Sequence, residues 1–214
     1  MLGALEKCKE NGGKIITVNP LPEAGLLNFI DPQSPMRILQ GGVSLTDIFV
    51  PVKVNGDVAF LKAVMLKLAE MEESNPGTVF DWDFIKEYTH NFDAFLADLK
   101  TNDFSSCASE SGVEEKTILE VAEMMATNKK IIICWAMGLT QHANSVDTIK
   151  EIANLLMLKG AIGRPGAGVC PVRGHSNVQG DRTMGVWEKV KPEWRENIRE
   201  VFGFEVPEKE GFDT

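Results

Sequence analysis

The chain has 214 residues, 43% of them hydrophobic and 25% charged, enough to bury the core of one large or two small soluble domains. A net charge of −9 supplies no bulk positive field for a nucleic-acid backbone and argues against nucleic acid as a partner. Its four cysteines, Cys8, Cys107, Cys134 and Cys170, lie far apart without a CxxC pair, which disfavours a zinc site or disulfide framework and predicts reduced thiols in a cytoplasmic protein.

The first residues, MLGALEKCKENGG, lack the cationic start and long apolar run of a signal peptide, and no later apolar stretch is long enough for membrane insertion. Residues 2–11 predict a helix closed by Gly12 and Gly13, followed by a buried strand, KIITV, that ends at Asn19-Pro20. Pro22, Pro32 and Pro35 make residues 21–46 an extended loop with little regular structure. A second strand over 47–54 contains Pro51 and is expected at a sheet edge. The helix after it, 57–71, places Val58, Leu61, Val64, Met65 and Leu68 at helical spacing, which core packing explains.

Residues 80–100 carry Trp82, Phe84, Ile85, Tyr88, Phe92, Phe95 and Leu99, a pattern for two short amphipathic helices whose aromatic stripe packs against a core. The Ser111 to Glu114 spacing matches a capping box and predicts a helix over 112–127, with Ile118, Val121, Ala122 and Met125 inward. That helix leads into a strand, KIIICW, then the loop LTQHAN. A further helix over 145–159 turns Val146, Ile149, Ile152, Ala153 and Leu156 to one face. Repeated helix-to-strand units predict an α/β fold with a mainly parallel sheet, flanking helices and a Rossmann-like dinucleotide-binding character. Ligands in such sheets bind beyond the carboxyl ends of the strands, where Asn19-Pro20 and Met137 to Gln141 fall. Residues 187–214, with Trp187 and Trp194, predict a surface helix and a tail. An α/β domain over 1–165 and a cofactor segment opening a next domain over 166–214 are the expected divisions.

The segment GAIGRPGAGVCPVRGHSNVQGDRTMG, residues 160–185, holds seven glycines and two prolines together with Arg164, Arg173, Arg182, His175, Asn177 and Gln179. Glycine lets backbone approach a bound group, and arginine grips anionic oxygens with a planar fork of donors. The combination suits a large anionic cofactor; the plain alternative is an ordered surface loop whose arginines are solvated.

Three segments in this order, VNPLPEAG, WAMGLTQH and GRPGAGVCPVRGHSNVQGDRTMG, resemble the molybdopterin-guanine-dinucleotide oxidoreductases, specifically formate-dehydrogenase-like alpha subunits, over about residues 4–190. The resemblance implies a bis-molybdopterin guanine dinucleotide with molybdenum or tungsten, and two-electron redox of a small anionic substrate. It leaves open an iron–sulfur cluster and an electron-transfer subunit. Asn19 and Pro20 would face the guanosine of one dinucleotide, although Leu21 stands where many relatives have arginine. Asp57 would read a guanine edge by accepting its N–H donors, or would simply cap its helix. Met137, Gly138 and Gln141 match the cofactor-facing turn of the family, and Gly174, Asn177 and Gln179 continue the cofactor segment.

By the same resemblance, Arg173 would orient the substrate carboxylate. His175 stands where formate dehydrogenases usually have glutamine, and would either move a proton or replace a cofactor hydrogen bond. His142 and His90 are weaker candidates. None of the four cysteines matches the family's metal-ligand position, so no metal ligand is expected here. The chain is expected to be an internal fragment of a longer enzyme and inactive alone. The alternatives are a non-catalytic nucleotide- or protein-binding α/β module and the middle domain of a thiamine-dependent enzyme, the latter disfavoured by VRGHSNVQG.

Overall fold

The computed structural model describes residues 2–30, 38, 41–174 and 177–211, and the chain divides into two compact units, Met1–Cys170 and Pro171–Thr214. In the first, helix α1 (Leu2–Glu10) ends where Gly12 takes a φ of 80°. Gly13 follows because a side chain there would meet Cys8 Sγ at 2.3 Å. Strand β1 (Ile16–Val18) pairs in parallel with β2 (Ile48–Val50), Ile16 beside Ile48 and Val18 beside Val50. Asp47 ties the layer together, accepting from the Ile15 amide at 2.8 Å and from Lys9 Nζ at 2.7 Å. β2 stops before Pro51, which has no N–H to give a ladder. The segment expected to be irregular does contain structure: α2 (Ala24–Leu27) and an antiparallel bridge between Phe29 and Val43.

Helix α3 (Asp57–Ser74) is the centre of the unit. The sequence pattern predicts one apolar stripe, but Ala59, Phe60, Leu61, Ala63, Val64, Met65, Leu66, Leu68 and Ala69 are all buried, because other helices cover it on several sides. The expected pair α4 (Trp82–Tyr88) and α5 (Phe92–Leu99) follows. Their aromatic residues pack edge-on, Trp82 against Phe92 at 5.3 Å and Phe80 against Trp82 at 5.7 Å, as a core contact and not a stacking platform.

Two corrections concern the next stretch. An unforeseen helix, α6 (Phe104–Ser111), is capped by Asp103 and closed by Gly112 in the left-handed region. Ser111 therefore ends one helix and does not cap the next: its hydroxyl donates to the Ala108 carbonyl, and α7 (Glu115–Thr127) begins after Glu114. Strand β3 (Ile132–Trp135) leads into a short helix, α8 (Met137–Thr140), where a loop was expected. α9 (Ser145–Leu158) buries Thr148, Ile152, Leu155, Leu156 and Leu158, while Val146 is exposed. β4 (Gly168–Pro171) neighbours β3. The architecture is α/β, with its strands gathered as two short pairs among the described residues.

In the second unit, α10 (Val178–Thr183) and α11 (Pro192–Phe202) flank a turn in which Arg182 pairs with Glu188 at 2.7 Å and lies over Trp187. Among the described residues, no helix is long and apolar enough to cross a membrane.

Candidate functional site

The turn after β2 is held from below. Lys53 donates its amide to the Ser111 carbonyl at 2.8 Å and its ammonium to the Ser109 carbonyl at 3.0 Å, clamping residues 51–56 onto the carboxyl end of α6. Gly56 caps α3 because any Cβ there would meet Ser111 O at 2.8 Å. Asn55 takes the left-handed φ of 66° that turns the chain into the helix. This geometry brings Asn55 Oδ1 within 2.9 Å of His142 Nδ1, in the segment following α8. A carbonyl oxygen only accepts, so Nδ1 is the donor in this contact.

Asp57, the first residue of α3, is half-buried and lies within electrostatic reach of His142. Burial pushes its carboxyl above the ordinary value, and its own backbone amide and His142 only partly oppose this. Among the described residues, its carboxylate makes no hydrogen bond to another residue's side chain or backbone. Asp57 is not the N-cap of α3, since Gly56 occupies that position.

The other expected residues are placed as follows. Met137 is exposed, and a Cβ at Gly138 would meet nothing within 4 Å, so neither packing nor positive φ explains the glycine. Gln141 is exposed and closes α8 through its amide to the Met137 carbonyl. Asn19 is engaged locally: its amide group donates to Glu23 Oε1 at 2.9 Å, while Pro20 is exposed. The site therefore gathers Asp57 with His142 and Asn55 and gives Asn19 a separate partner. Asn55 was missed, although an Asn-Gly pair directly before a helix is a left-handed turn signal.

In the second unit, Arg173, Gly174 and Gln179 are exposed. Asn177 has φ 62° and folds its amide over Gly180, where a Cβ would lie 2.2 Å from Asn177 Oδ1. His175 lies outside the described residues. No group of three or more His, Cys, Asp or Glu side chains suited to a metal occurs among the described residues.

The whole chain matches a protein of Mycobacterium tuberculosis named as an uncharacterized oxidoreductase, with 46% identity over 214 residues that make up 28% of that protein. A protein of Staphylococcus aureus named as a putative formate dehydrogenase is 35% identical over 65% of this chain and 14% of its own length. The chain belongs to this oxidoreductase family, formate-dehydrogenase-like members included. It spans 28% of the length of the mycobacterial family member. No protein-family model matches, so membership rests on similarity along the chain. The solved structure of acetylene hydratase from Pelobacter acetylenicus shares the fold, with a TM-score of 0.62 and 17% identity over 77% of this chain and 19% of that one.

Proposed function

We propose that the chain is the part of a larger oxidoreductase that holds one nucleotide end of a bis-molybdopterin guanine dinucleotide, with Asp57 as the guanine reader. The observation that carries this reading is the Asp57 carboxylate, half-buried yet with no hydrogen-bond donor from another described residue, at a turn whose backbone is fixed by Lys53 and Ser111. A carboxylate accepts the two adjacent N–H donors on the guanine edge, which adenine does not offer. His142, oriented by its contact with Asn55, lies within electrostatic reach of it, and Gly138 leaves backbone open to close approach. The residues present fit the nucleotide end of such a group.

When bound, the dithiolene-held molybdenum or tungsten supplies two-electron redox chemistry. In the full-length protein, Arg173 orients a small anionic substrate with its guanidinium fork, and His175 holds the cofactor or moves a proton. Asn19, Pro20, Met137, Gln141, Gly174, Asn177 and Gln179 complete the proposed cofactor contacts, and an electron-transfer subunit is a partner of the parent. The four free thiols support a reducing, cytoplasmic setting.

Calorimetric titration of the chain with GDP and ADP tests the guanine reading. GDP should bind about tenfold more tightly, as expected for a charge-assisted hydrogen bond, and Asp57→Asn should abolish the preference. Because the reading requires an ionised Asp57, GDP affinity should fall as pH drops through its raised carboxyl value. Equal affinities for the two nucleotides, or a preference untouched by Asp57→Asn, would overturn the assignment and favour a non-specific binding module.

A further inference from the structure

Strands β3 and β4 bring together two of the four cysteines. The Gly168 amide donates to the Ile131 carbonyl at 2.9 Å. β3 and β4 are joined through helix α9, the crossover of a parallel pair, and in a parallel ladder this bond sets Gly168 beside Ile132 and Cys170 beside Cys134. The electrostatic interaction between the Cys134 and Cys170 thiols agrees with that register. Both side chains are reached by solvent. Adjacent strands lie about 4.8 Å apart, inside the Cα separation of about 4.4–6.8 Å that a disulfide bridges. The other two cysteines are elsewhere, Cys107 buried in the core and Cys8 on α1.

We propose that Cys134 and Cys170 form a cross-strand dithiol that low-molecular-weight disulfides convert to an intramolecular disulfide. The Cys170 thiolate attacks one sulfur of the small disulfide and expels one thiol, leaving a mixed disulfide on Cys170. The Cys134 sulfur then attacks the Cys170 sulfur, forming the protein disulfide and expelling the second thiol. Two electrons and two protons pass from the protein thiols to the small disulfide, which leaves as two thiols. The order of attack follows from the environment. The protein packed around Cys134 and the neighbouring Cys170 push its thiol up to about 11, so it holds its proton and acts second.

The location gives the bridge a consequence. Cys134 stands three residues before Met137, and Cys170 three residues before Arg173, at the roots of two of the segments that carry expected site residues. Oxidation would pin these two roots to each other. The chemistry is independent of any cofactor, so its test and that of the guanine assignment stand apart.

The folded, fully reduced chain is incubated with excess oxidised glutathione, denatured, and its thiols counted and mapped by peptide mass spectrometry. The peptides of Cys134 and Cys170 should be joined with two hydrogens lost, whether or not the exposed Cys8 takes up glutathione of its own. Dithiothreitol should restore all four thiols. Cys134→Ser should leave Cys170 as a stable glutathione adduct, and oxidation in denaturant should lose the pairing preference. Separate stable adducts on both cysteines, a different pairing, or a disulfide between chains would each overturn the proposal.

Discussion

Helix α3 begins and ends near a carboxylate withdrawn from water, and the protein treats the two in opposite ways. Glu72, in its last turn, is only 4% exposed and accepts from the amides of Gly77, Val79 and Phe80 and from Trp82 Nε1. Burial alone would raise its carboxyl, but those donors together outweigh it and hold the group below its ordinary value. At Asp57 burial wins, because no other described residue donates to it. The same cost of desolvation is thus met internally at one end and left open at the other. A polar group that its own fold satisfies is part of the fold; one left wanting donors is available to a ligand.

The satisfied end should be the more fragile. Glu72→Ala strands four donors around a cavity and should lower stability by about 3 kcal/mol, measured by urea unfolding at pH 7. The pH dependence has a definite sign. A carboxyl held below its unfolded value of 4.5 stabilises the fold above that pH, and the benefit disappears as pH falls through the folded value. The gap between wild type and variant should therefore narrow in acid. A gap of a few tenths of a kcal/mol at pH 7 would erase the contrast between the helix ends.

Lys159 belongs to the same satisfied region. It is 2% exposed and donates to the carbonyls of Val79 at 2.7 Å and Ala126 at 2.9 Å. Burial lowers its ammonium to about 8, helped by Lys129 and opposed by Glu72 and Asp81. Between pH 8 and 10.5 the unfolded chain keeps a proton that the folded chain has released, so wild-type stability rises with pH in that window. Relative to Lys159→Met, which lacks this titration, the rise should reach about 3 kcal/mol. Parallel curves for the two proteins would mean that Lys159 is solvated in solution.

Gly56→Ala probes the underside of the open end. Its Cβ would sit 2.8 Å from the Ser111 carbonyl and 3.0 Å from the Ser111 Cα, both backbone. The clamp between the β2 turn and α6 would have to shift, costing about 1–2 kcal/mol by urea unfolding. No loss would show that the turn is not fixed from below.

Periodicity made the helices legible where one face meets the core, as in α7 and α9, whose buried residues recur every three or four positions. It understated α3, because a helix covered on several sides has no polar face to mark its limits. It failed at α6, where FSSCASES carries little apolar content and the Ser111 to Glu114 spacing imitates a cap. The local sequence does not say that Ser111 meets Lys53, since the two residues lie far apart along the chain. The site shows the same divide. Asp57 and Gly138 could be singled out along the chain, whereas the Asn55 to His142 bond joins residues far apart in sequence and only the fold pairs them.

The smallest expected effect on stability is the most informative about the site. Gly138 lies in α8, has no positive φ, and a Cβ on it would touch nothing within 4 Å. Alanine is favoured over glycine in a helix by about 0.5–1 kcal/mol, so Gly138→Ala should leave stability unchanged or slightly raised. If the glycine is instead there to let a ligand approach the backbone, the added methyl should weaken GDP binding while the fold is intact. Calorimetry on the same preparation used for unfolding separates the two effects. Stability and GDP binding that both match wild type would make Gly138 an incidental surface residue and confine the open end of the molecule to Asp57, Asn55 and His142.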